Sequence, residues 1–161
     1  MALKQLLLRE PRLTLAVAES LTCGRLQAAR GAVSGASEFF LGGLTAYTLT
    51  QKVRHLGVDR VRAEAVNAVS PGVAEEMARG ACAFFGSDLA LATTGYAEPA
   101  PGADRPRAFW ALAHRRPDNT WILRGGAIEW PGAARVEMQE AVTAAALAAL
   151  VDYLREWRAN G

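Results

Sequence analysis

A chain of 161 residues, 51% hydrophobic and 21% charged, has ordinary globular composition and is long enough for one domain with a sizeable core. A net charge of +2 gives no footing for a nucleic-acid or membrane-surface partner, and charges interrupt every apolar run before it reaches membrane-spanning length. Two cysteines, Cys23 and Cys82, are too few for a disulfide framework, and MALKQLLLREPR lacks a small-residue cleavage site, so a cytoplasmic chain with reduced thiols is expected.

Taken in order, residues 2–10 are predicted to be helical, with Leu3, Leu6 and Leu7 on one side. A buried strand over 13–18 runs into a helix at about 22–32, followed by a loop over 32–37. FFLGGLTAY (39–47) is a strand candidate broken by Gly42 and Gly43, and 48–56 is a short helix stopped by Gly57. Ser70 and Pro71 mark the start of a helix that reaches Phe85 before Gly86. DLALATT (88–94) is a buried strand, and 95–105 is the longest irregular stretch. Strands over 109–114 and 120–128 are joined by a turn at Pro117–Asn119, and a long Ala-rich helix covers 131–157. Alternating strands and helices predict a layered α/β domain, and the late hairpin makes its sheet mixed.

The stretch LTLAVAESLTCG (13–24) carries the candidate chemistry. A strand entering a helix through a tight turn lifts one side chain, Ser20, to the rim of the sheet. A serine in that place is an ordinary helix N-cap, or it is a nucleophile backed by the bare N–H groups of a helix N-terminus. In open α/β sheets ligands bind beyond the carboxyl ends of the strands. Three loops follow strand ends here, 19–24, 47–52 and 93–105, and their convergence would place Ser20, Tyr47, Lys52, Thr93 and Thr94 in one cleft. Serine with a neutral lysine and a tyrosine is the equipment of Ser–Lys acyl transfer. Only two of the 18 basic residues are lysines, Lys4 and Lys52. A buried ammonium can release its proton and a guanidinium cannot, which singles out Lys52; composition alone leaves a solvated helix face as an equal reading.

Several motifs, matching in order, give the chain a resemblance to the C-terminal domain family of the competence/damage-inducible protein CinA. They are Ala18–Gly24 (AESLTCG), Gly43–Tyr47 leading to Lys52 and Leu56–Val58, Asn67–Ser70 (NAVS), Ala74–Gly80 (AEEMARG) and Thr94–Pro99 (TGYAEP). The resemblance implies a three-layer α/β/α sandwich with a mixed, mostly parallel sheet, forming a single stand-alone domain over 1–161. It implies amidohydrolysis of a small-molecule nucleotide, nicotinamide mononucleotide, to nicotinate mononucleotide and ammonia, with no metal or cofactor. On this resemblance Ser20 is the nucleophile, Lys52 the general base and Tyr47 its partner. Thr22, Gly24, Thr94, Gly95 and Arg135 would hold the substrate. A homodimer or larger homo-oligomer is also implied.

This chain departs from the family pattern at four places. Cys23, Glu98 and Ala108 stand where glycine is usual, and Gln139 stands where an arginine is usual. A carboxylate at Glu98 would repel a phosphate unless it points outward, so an amidase of another substrate or a non-catalytic binding or assembly role stays open. Cys23 is expected to be a small buried hydrophobe. Glu19 is expected to be a core-facing carboxylate bonded to backbone. His55 and His114 are expected on the surface, and the four tryptophans in packing roles.

Overall fold

The computed structural model describes residues 2–160. Among them run α1 (Leu3–Leu8), β1 (Leu15–Glu19), α2 (Arg25–Gly31), β2 (Phe40–Thr45), α3 (Leu49–Leu56), α4 (Arg60–Ala65), α5 (Pro71–Phe85), β3 (Leu89–Tyr96), β4 (Arg107–Arg115), β5 (Trp121–Glu129) and α6 (Arg135–Asn160). The strands form one sheet in the order β2-β1-β3-β4-β5. β2, β1 and β3 are parallel, while β4 and β5 are antiparallel additions made by the hairpin. The fold is therefore an α/β/α sandwich with a mixed sheet.

Alternation along the strands sorts side chains by size between the two faces. Ala18, Ala90, Ala92, Ala111 and Ala113 face a cluster that includes Ala74, Met77, Ala78 and Ala81 of α5. Small residues on both sides let α5 lie close to the sheet. Leu15, Val17, Leu89, Leu91 and Leu112 face the other layer, where Leu150 and Leu154 of α6 and Leu6 and Leu7 of α1 pack. Among the described residues no helix is long and apolar enough to cross a membrane.

Some local structure departs from the sequence reading. The helix after β1 begins at Arg25, not Thr22, because Gly24 takes a left-handed φ of 95° as its cap. The short helix α4 has no counterpart in the predicted elements. Asp59 caps it, accepting from the Arg62 N–H at 2.8 Å, and six residues are too few to show helical periodicity. His114 is not a surface group. It is 3% exposed near the end of β4, its Nδ1 lies 2.6 Å from the Tyr153 hydroxyl on α6, and burial holds its pKa below the usual 6.5. Cys23 is exposed, not buried, with a φ of 46° that turns it away from the core.

Candidate active site

The parallel strands β2, β1 and β3 end on one side of the sheet, and a cleft of about 560 Å3 opens there. Ser20 directly follows β1. Thr93, Thr94 and Gly95 end β3, and Tyr47 and Thr48 link β2 to α3. Lys52 projects from the inner face of α3 and is 2% exposed, Ser20 6%.

The central contact joins Lys52 Nζ and Ser20 Oγ at 2.9 Å. Lys52 Nζ also donates to the Tyr47 backbone carbonyl at 2.9 Å. Among the described residues no carboxylate pairs with Lys52, so desolvation acts unopposed and lowers its pKa from 10.5 to about 8. A neutral amine in this place donates one proton to the Tyr47 carbonyl and accepts the Ser20 proton on its lone pair. Ser20 is therefore not a helix N-cap. That position belongs to Gly24, and the serine hydroxyl is held by the lysine.

Glu19 builds the turn beneath the serine. Its carboxylate is fully buried and accepts from Thr22 Oγ1 at 2.6 Å, from the Leu26 N–H at 3.0 Å and from the Gln27 N–H at 2.9 Å. The two N–H groups are first-turn donors of α2. The bare helix N-terminus expected behind Ser20 is thus already occupied by a protein carboxylate. Thr22 is spent in the same network, touching Thr93 Oγ1 at 2.8 Å, and neither it nor Gly24 lines the cleft. Gln139, buried on α6, donates to the Leu21 carbonyl at 2.8 Å and fixes the other side of the turn.

The remaining sequence candidates divide. Gly95 and Arg135 line the cleft. So does Thr94, but its hydroxyl donates to the Ala68 carbonyl at 2.6 Å and is committed there. Gly95 is required by the neighbouring strand: a Cβ there would lie 2.5 Å from the Ala108 Cβ and 2.7 Å from the Arg107 carbonyl. Tyr47 lines the cleft, yet its hydroxyl makes no hydrogen bond to Ser20 or Lys52 and accepts from Arg135 Nη2 at 2.6 Å. Glu98 accepts from Arg135 Nη1 at 2.8 Å, so this carboxylate turns to the guanidinium at the mouth of the cleft.

One wall of the cleft was not among the candidates. Asn67 and Ala68 both adopt left-handed φ angles, 50° and 58°, and Asn67 Nδ2 donates to the Tyr96 hydroxyl at 2.9 Å. The asparagine itself was the available signal, since asparagine is among the few residues that enter this region readily. Tyr96 carried no such signal.

The fold and the site define an α/β domain with a buried Ser–Lys dyad at the ends of its parallel strands. Residues 2–154 match the CinA C-terminal domain, and the chain belongs to that family. A CinA-like protein of Chlorobium limicola is 39% identical over 153 residues, which make up 93% of this chain and 35% of that relative; the chain thus spans about a third of its length. The structure of a competence-damaged protein (CinA) superfamily protein from Enterobacter cloacae superposes with a TM-score of 0.85 at 26% identity, covering 94% of this chain and 88% of that one. A superfamily protein of the same description from Escherichia coli gives 0.80 at 28% identity, covering 89% and 82%.

Proposed function

We propose that this domain is a Ser–Lys amidohydrolase that deamidates nicotinamide mononucleotide. The observation that carries the reading is the 2.9 Å contact between Ser20 Oγ and a buried Lys52 with no carboxylate beside it. Such a lysine is available as a neutral base near neutral pH, which a lysine in an ion pair is not. The nucleotide as substrate rests on membership of the CinA C-terminal domain family.

The chemistry follows from the geometry. Ser20 Oγ attacks the carboxamide carbon while its proton passes to Lys52 Nζ. The tetrahedral intermediate collapses as Lys52 returns that proton to the departing nitrogen, and ammonia leaves. Water then attacks the Ser20 ester, Lys52 takes one of its protons, and the carboxylic acid is released with Ser20 restored. The Tyr47 carbonyl keeps the amine aimed at Ser20 throughout.

The test is ammonia release from nicotinamide mononucleotide by the purified domain and by Ser20→Ala. Turnover by the parent that falls by roughly a thousandfold or more in the variant supports the reading. Equal ammonia release by both proteins would remove Ser20 from the reaction.

A further inference from the structure

Three charged side chains line the cleft: Lys52, Glu98 and Arg135. Lys52 lies at its base, committed to Ser20 and the Tyr47 carbonyl. Arg135 is thus the cation at the mouth, and it is already paired with Glu98 at 2.8 Å. Its guanidinium carries five N–H donors. One is engaged by Glu98 and one by the Tyr47 hydroxyl, which leaves three. The pair therefore removes the net positive charge at the mouth but not the hydrogen-bonding capacity. A neutral hydroxyl group needs only donors, whereas a phosphate gains most from charge.

Glu98 is also poorly placed to drift away. It precedes Pro99, which restricts its backbone to extended conformations, and Pro101 follows two residues later. Ala100 and Ala103 close this loop through reciprocal backbone hydrogen bonds of 2.9 and 2.8 Å. The carboxylate is carried on a stiffened segment beside Arg135.

We propose that Glu98 competes with a substrate's anionic group for Arg135, so that this cleft accepts unphosphorylated pyridine-carboxamide nucleosides as well as their 5′-phosphates. The inference rests on the amidase reading of the same cleft. An incoming phosphate must displace the carboxylate from Arg135 or bind beside it. A nucleoside meets neither obstacle.

The experiment compares kcat/KM for nicotinamide mononucleotide and nicotinamide riboside in the parent and in Glu98→Gln, by ammonia release. The glutamine keeps the shape and removes the charge. The expected result is that the parent uses the two substrates to within about tenfold of each other, and that Glu98→Gln raises the nucleotide-to-nucleoside ratio by about tenfold. A ratio that moves by less than about twofold, or a parent that favours the nucleotide by more than about a hundredfold, overturns the proposal. If neither compound releases ammonia, the amidase reading fails separately, and calorimetric titration of the same compounds into the same two proteins judges the competition. Tightening of the nucleotide relative to the nucleoside in Glu98→Gln by a similar factor supports it. Equal affinity changes, or no binding of either compound, overturn it.

Discussion

Gln139 Nε2 donates to the Leu21 carbonyl at 2.8 Å, tying the start of α6 to the residue immediately after Ser20. The amide is buried, and its removal leaves that carbonyl without a protein partner, a loss of about 1–3 kcal/mol. Gln139→Ala is therefore expected to lower Tm by several degrees in a thermal melt. It is also expected to reduce kcat more than it raises KM, because the turn that aims Ser20 loosens. Unchanged melting and unchanged kcat together would show that Glu19 alone holds the turn.

Lys52 gives a stability signature that does not depend on turnover. Its pKa in the fold is about 8 against an ordinary 10.5, so the unfolded chain binds more protons between these values. Stability from this residue rises with pH across that window, by about 3 kcal/mol, and the full penalty of burying the charge applies below pH 8. Lys52→Met should thus be more stable than the parent at pH 7, with the difference shrinking as pH approaches 10.5. Denaturant unfolding of both proteins across this range checks it, and a pH-independent difference would mean that the lysine titrates normally. In the amidase assay, activity should rise with pH toward about 8, and Lys52→Arg should be nearly inactive because a guanidinium stays protonated.

Tyr47 touches Lys52 through its backbone carbonyl, while its hydroxyl tethers Arg135. Tyr47→Phe keeps the first contact and loses the second. The expected outcome is a severalfold rise in KM, with the pH profile and most of kcat retained. A hundredfold fall in kcat would instead place the hydroxyl in proton transfer.

Gly95 sits against Ala108 across the β3–β4 pair. Gly95→Ala should destabilise by about 1–3 kcal/mol, since the new methyl meets backbone as well as the Ala108 side chain. Adding Ala108→Gly should restore only part of the loss, because the Arg107 carbonyl remains 2.7 Å from the new Cβ. Thermal melts of the two variants and the parent check both statements.

The sequence alone was enough to determine the α/β class and the strand–turn–helix at Ser20, and it raised Lys52 as one of two equal readings. These rest on local information: apolar runs of strand length, glycine and proline punctuation, and the rarity of lysine in an arginine-rich chain. The ends of β3, β4, β5 and α5 lie close to where periodicity and turn residues put them. Glu19 was legible as a core carboxylate because a charge inside an apolar strand must find donors.

Tertiary structure decided the rest. Whether Tyr47 offers its hydroxyl or its carbonyl to Lys52 depends on the path of three residues between β2 and α3, and no local pattern encodes that path. Thr22 and the α2 N-terminus looked available until packing brought Glu19 back onto them. His114 followed two polar-looking cues, a strand end and adjacent arginines, yet Tyr153 and Trp157 of α6, 39 and more residues away, cover it. Glu98 was read as a repelling charge, and Arg135, 37 residues on, turned it into half of an ion pair. Local chemistry names the groups that can react or pair. Which atom meets which is set by contacts between residues far apart in the chain, and those exist only once the sheet has brought its strand ends together.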